Sequence, residues 1–99
     1  MKEFTGGARI NLFNATWPFA KLHLGKDGLT LKVIVRGTFF FPKARIRAIR
    51  KHARIPLIFD GLQIEHDIDE FPDWIVFWCL GQREKILEEL KRHGYPTDQ

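Results

Sequence analysis

The sequence predicts a mainly β fold closed by one C-terminal helix. Three observations carry this. Up to Leu80, apolar and polar residues alternate in short runs, the two-residue period of half-buried strands. Gly, Pro and Asp-Gly steps punctuate those runs at short intervals, as turns between antiparallel strands require. After Gly81 the apolar residues change to helical spacing.

Taken in order, Ala8, Ile10 and Leu12 alternate with Arg9, Asn11 and Phe13 in a first strand. Asn14 to Pro18 reads as a connection. Phe19 to Leu24 forms a second strand, with Leu22 and Leu24 on one face and Lys21 and His23 on the other. Lys26-Asp27-Gly28 is a hairpin turn in which Asp-Gly supplies positive φ. Leu29, Leu31, Val33 and Val35 mark a third strand, and Gly37 a bend or bulge. Thr38 to Phe41 is the fourth, stopped by Pro42, which cannot donate to a ladder.

Lys43 to Arg45 makes a short turn, and Ile46 points inward as an anchor for the next strand. That fifth strand runs from Arg47 to Ile55, with Ile49, Lys51, Ala53 and Ile55 on one face and Arg50, His52 and Arg54 on the other. Leu62, Ile64 and His66 define a sixth. Asp67 to Asp73 is an acidic loop. Trp74 to Leu80 is the seventh, placing Ile75, Phe77 and Cys79 on one face and Trp74, Val76 and Trp78 on the other. The helix spans about residues 82–93, with Ile86, Leu87 and Leu90 as its apolar stripe. Glu88 and Arg92 have the favourable four-residue spacing, worth ~0.3 kcal/mol. Gly94 at C′, with Leu90 and Tyr95 as the hydrophobic pair, predicts a Schellman ending.

Ninety-nine residues predict one domain, and an apolar content of 44% with nine Phe and three Trp supplies a core. One cysteine, Cys79, excludes an internal disulfide and a cysteine-based zinc site. No apolar run approaches a membrane span and no signal-peptide run opens the chain. The expectation is a cytoplasmic protein, at most peripheral at the inner membrane face.

Charge is distributed unevenly. Lys43, Arg45, Arg47, Arg50, Lys51 and Arg54 fall within twelve residues, whereas Ile55 to Gln82 holds no Lys or Arg and six Asp/Glu. This predicts one positive and one negative region. The basic segment is a candidate surface for a partner or for anionic lipid, each cation near such a surface contributing ~1 kcal/mol. Its plain alternative is a solvated strand face whose cations discourage edge pairing. Glu65, Asp67, Asp69, Glu70 and Asp73 form a candidate acidic partner surface, or a solvated loop that pairs with the basic strand within one molecule or between two. Trp17, Trp74 and Trp78 are candidates for an aromatic interface, with core or helix packing expected for one of them.

Seven short strands followed by one helix is the order of a pleckstrin-homology-type barrel. The carrying residues are Trp17-Pro18; Leu22-His23-Leu24 with Asp27-Gly28-Leu29-Thr30-Leu31; Phe40-Phe41-Pro42-Lys43 with Ile46 and Ile49; Gly61-Leu62-Gln63-Ile64-Glu65-His66; Ile75-Val76-Phe77-Trp78; and Gly94-Tyr95. Over residues 8–95 the chain resembles small bacterial PH-like proteins, and more distantly GRAM domains. The resemblance implies two bent antiparallel sheets of about seven strands, capped by the helix, in a binding module for lipid headgroups, peptides or protein surfaces. The chain departs from the phosphoinositide pattern of a Lys and a Lys/Arg-x-Arg around the first hairpin loop. The connection Asn14 to Pro18 has no basic residue, and only Arg9 and Lys21 flank it.

No reaction centre assembles from these residues. The chain has no Ser, and its five Thr lie in no nucleophile motif. Gly6-Gly7 precedes a strand, so it is not a phosphate loop. His23, His52, His66 and His93 lack paired ligand spacing, so no metal and no cofactor is expected. The expectation is a non-catalytic module for protein–protein interaction, self-association included, with docking to anionic membrane through Lys43–Arg54 as the runner-up. Nucleic acid ranks below both, because a net charge of +4 and the acidic half oppose phosphate tracking.

Overall fold

The computed structural model describes residues 2–53 and 60–97. Seven strands are followed by one helix: β1 (Lys2–Ile10), β2 (Phe13–Leu24), β3 (Gly28–Val33), β4 (Gly37–Pro42), β5 (Ile46–Ala53), β6 (Asp60–His66), β7 (Ile75–Trp78) and α1 (Arg83–Arg92). A 3-10 turn at Lys43–Arg45 joins β4 to β5. The strand order is β4-β3-β2-β1-β7-β6-β5, all neighbours antiparallel. One continuous ladder therefore joins all seven strands into a curled half-barrel, where the resemblance implies two bent sheets. β1 links the two sets of strands, because Gly7 to Ile10 pair with β7 while the strand also pairs with β2.

Two glycines make that link. A Cβ on Gly6 would lie 2.1 Å from the Trp78 carbonyl oxygen, and one on Gly7 would lie 2.5 Å from the Ala15 carbonyl oxygen. Gly6-Gly7 therefore lies inside β1, where two backbones approach too closely for any side chain. The register also shifts here: Gly6 pairs with Ala20 and Ala8 with Ala15. Thr16 to Phe19 are left opposite Gly7 alone, a wide bulge that throws Trp17 outward.

Several expected boundaries move. β1 begins at Lys2, and the first connection is Asn11-Leu12, with Asn11 at φ 52°, so Asn14 to Pro18 belong to β2. β3 ends at Val33 and Ile34 to Arg36 turn, with Val35 at φ 73° and Gly37 at φ 97°. Gly28 does not adopt positive φ; its Cβ would meet the Phe41 carbonyl oxygen at 2.4 Å and the Phe40 ring at 2.7 Å. β7 stops at Trp78, because Leu80 and Gly81 take φ 49° and 86°. The fifth strand is described to Ala53; its predicted end at Arg54 and Ile55 lies outside the described residues.

The inner faces of the strands meet Ile86, Leu87 and Leu90 of α1 in one core. Phe41, Phe77, Leu31 and Ile75 are completely buried in it. Cys79 is buried there too, and burial pushes its thiol pKa far up, as expected for a small hydrophobe. The helix ends as its local sequence predicts. Tyr95 N–H donates to the Leu90 carbonyl and Gly94 N–H to the Lys91 carbonyl, both at 3.0 Å, with Gly94 at φ 80°. That is the Schellman pattern. Arg92, however, bonds Glu89 at 3.0 Å instead of the expected Glu88. Glu89 faces the buried side, and also lies within 3.7 Å of Lys2 and of His93.

Candidate binding surfaces

β5 and β6 are adjacent and antiparallel, so the most basic strand lies beside a strand and loop rich in acids. Arg45 Nε donates to Asp67 Oδ1, and Arg45 Nη2 donates to the Asp67 carbonyl at 2.6 Å. Arg47 Nη2 reaches Asp67 Oδ2 at 2.7 Å. Arg50 Nε donates to Glu65 Oε2 at 2.6 Å. The Arg45 hydrogen bond, and then the charges of Arg45 and Arg47, hold the Asp67 carboxyl below its ordinary range; the same bond raises Arg45.

The lysines are engaged as well. Lys43 Nζ donates to the His93 carbonyl at the end of α1 and lies 4.7 Å from the Tyr95 ring centroid. A lysine here satisfies a carbonyl that the helix leaves unpaired and meets the negative end of its dipole. Lys51 Nζ is 3.4 Å from Glu84 Oε2. Each described member of the basic cluster thus meets an acceptor of its own chain. Arg54 lies outside the described residues. The expected positive and negative regions therefore interdigitate, because strand pairing places opposite charges side by side.

The acidic loop is pinned. Ile68 N–H donates to His66 Nδ1 at 3.0 Å, and His66 Nε2 lies 2.9 Å from the Pro72 carbonyl. Ile68 N–H fixes Nδ1 as acceptor, so Nε2 carries the proton donated to Pro72. Phe71 packs edge-on against Phe39 and Phe41, 5.2 and 5.4 Å between centroids. Asp69, Glu70 and Asp73 remain exposed on this loop.

The three tryptophans separate. Trp78 is only 9% exposed. Its indole lies over Gly61, where a Cβ would sit 2.9 Å away, and its Nε1 donates to Asn14 Oδ1 at 3.1 Å. His52 contacts both Trp74 and Trp78, at 5.4 and 5.6 Å. Trp17 is 56% exposed and Trp74 37%. The candidate aromatic interface therefore reduces to Trp17 and Trp74, with Trp78 sealed beneath its neighbours.

A surface that the local sequence pattern does not mark lies on the outer face of β1–β4. Thr5, Lys21, Lys32 and Thr38 are paired in one row across the four strands. Lys21 Nζ donates to Thr5 Oγ1 at 3.2 Å, and two lysines stand directly opposite one another, a like-charge pair that costs stability. Exposed Phe19 and Ile34 lie on one side of the row, and Phe40 on the other. A shallow open groove crosses this face, lined by Phe19, Lys21, Lys32, Ile34 and Thr38. Nearby, Arg36 lies 5.4 Å from the Phe13 ring centroid. A charge count by segment carries the signal: residues 1–42 hold six Lys/Arg and two Asp/Glu, whereas residues 43–99 hold ten of each. The whole excess of +4 sits in the first four strands and the turns between them.

Among the described residues, no three His, Cys, Asp or Glu are grouped to hold a metal ion, and no helix is long and apolar enough to cross a membrane. Comparison of the chain with protein-family models and with curated proteins gives no match.

Proposed function

We propose that this chain is a non-catalytic protein-binding module on a PH-like half-barrel, and that it binds through the outer face of β1–β4. The PH-like reading draws support from seven antiparallel strands followed by one C-terminal helix whose apolar stripe joins the core. The observation that carries the binding reading is the pairing of Lys21 with Lys32 beside exposed Phe19 and Ile34. A folded protein keeps a like-charge pair at a cost, and an acidic partner relieves it. Exposed aromatics beside cations also supply the anchors that protein interfaces use.

Anionic membrane remains the runner-up, through the basic strand. The acceptors that Arg45, Arg47, Arg50 and Lys51 already have leave that strand little uncompensated charge, which is why the lipid reading ranks second. The discriminating experiment adds a random Glu/Tyr copolymer, then vesicles of phosphatidylserine in phosphatidylcholine, at low and physiological salt. Salt-sensitive copolymer binding that disappears in Lys21→Glu/Lys32→Glu is expected. Vesicle binding that disappears in Arg47→Glu/Lys51→Glu, with no copolymer binding, would reverse the ranking.

A further inference from the structure

The geometry points to the outer edge of β4 as the docking site of an extended acidic and apolar segment of a partner protein, added to the sheet as an eighth strand. This rests on the protein-binding reading of the same face and names how the partner is held.

Register decides which backbone groups are available. Gly28 pairs with Pro42, and Lys43 N–H donates to the Asp27 carbonyl at 2.9 Å. Gly28 and Pro42 are therefore a non-hydrogen-bonded pair, and the bonded pairs alternate from there: Leu29 with Phe41, Leu31 with Phe39, Val33 with Gly37. The N–H and C=O groups of Thr38 and Phe40 consequently point away from β3. Among the described residues nothing bonds them. Of the devices that guard exposed edges, charge is missing, since Gly37 to Phe41 carry none and keep an unshifted register with β3; Pro42, at the end of the strand, removes an outward N–H there and limits the open stretch to Thr38 and Phe40.

Side chains state the chemistry of the added strand. On the outer face, a residue placed opposite Thr38 extends the row Thr5–Lys21–Lys32–Thr38. A carboxylate there reaches toward Lys32. Two residues along the same strand, on the same face, a side chain stands opposite Phe40, which is 46% exposed. An apolar group fits there. The partner's motif is therefore an acid and an apolar residue two apart. A second copy of β4 brings no acid and duplicates the lysine face, so the occupant is a different chain. A membrane surface offers charge but no backbone to pair with Thr38 and Phe40. Addition of a strand supplies affinity through main-chain bonds and specificity through alternate side chains.

The test uses the intact protein and a fluorescent peptide of about eight residues, alternating Glu and Val with both ends blocked. Expected is salt-sensitive binding by anisotropy. It should weaken at least about tenfold for a Lys/Val peptide and for the Glu/Val peptide N-methylated at alternate residues. Thr38→Pro should weaken it equally while leaving the melting temperature near that of the parent, because the lost N–H faces outward. If the N-methylated peptide and Thr38→Pro both bind normally while Lys21→Glu/Lys32→Glu does not, strand addition is wrong and the cationic-face reading survives. If Lys21→Glu/Lys32→Glu also binds normally, both fail. Absence of Glu/Val binding up to about 1 mM at low salt overturns the proposal. So does a dimer in light scattering that Thr38→Pro dissociates, since the occupant is then a second copy. Vesicle binding that Thr38→Pro leaves intact, without peptide binding, assigns the face to lipid and overturns it as well.

Discussion

β5 carries Arg47, Arg50 and Lys51 along its length, and Pro96 and Thr97 meet its outer side, where Ile49 N–H donates to the Pro96 carbonyl at 2.8 Å and Ile49 bridges to Thr97. β4, at the other edge of the same sheet, holds no charge from Gly37 to Pro42, and among the described residues no backbone group bonds its outer side. The charges of β5 are matched by Asp67, Glu65 and Glu84, whereas Lys32 behind β4 faces another lysine. One edge is covered and neutralised; the other offers both backbone and charge. Unguarded edges invite pairing, so the contrast locates the surface open to a partner.

The contrast between the edges breaks first if they differ inside as well as at the rim. Phe41 on β4 and Ile49 on β5 are both buried. Phe41→Ala should cost about 4 kcal/mol and Ile49→Ala about 3 kcal/mol in urea unfolding. A cost near zero for either would mean that its strand is not part of the common core.

Uncovering β5 is the next largest change. A chain ended after Tyr95 loses the acceptor of Ile49 N–H and should lose about 1 kcal/mol. It should stay monomeric in light scattering, because charges still guard that edge. Dimerisation of the truncated chain would show that cover, not charge, protects β5.

Adding a charge to β4 tests the other side. Thr38→Lys should change stability by no more than about 0.5 kcal/mol and should reduce binding of the Glu/Val peptide. Unaltered binding would sever the link between the bare edge and the partner.

The smallest effect concerns pH. Held below its ordinary range in the folded protein, the Asp67 carboxyl contributes stability that is fully present above its unfolded pKa and is lost as pH falls through the lower folded value. The melting temperature should therefore fall on acidification through this window, and fall less in Asp67→Asn. Identical acid limbs in the two proteins would mean that the Arg45 and Arg47 bonds contribute nothing, as exposed ion pairs often do.

Much of the fold is legible in the sequence because its signals are local. Alternation marks Leu22, Leu24, Leu29 and Leu31 as inward, and all four are buried. Gly94, Leu90 and Tyr95 announce the helix ending that the hydrogen bonds form. β1 is longer than its alternation suggests, because Lys2 to Gly7 contain two glycines and only one large apolar residue, Phe4. Pro18 makes Asn14 to Pro18 resemble a connection, although the bulge opposite Gly7 accommodates it within β2. The candidate site is less legible. Arg45, Arg47 and Arg50 look like one positive surface in sequence, whereas Lys21 and Lys32, eleven positions apart, carry no local signature.

The sequence by itself determined the strand count, most turn positions, the helix and its stop, since each depends on residue period or on conformations that neighbours impose. Only the tertiary structure decided which charges cancel and which remain. Pairing of β5 with β6 brings Arg50 to Glu65, whereas pairing of β2 with β3 brings Lys21 to Lys32. It also decided which edge is open, because the direction of an N–H along β4 depends on register with β3, and register is a property of two strands together.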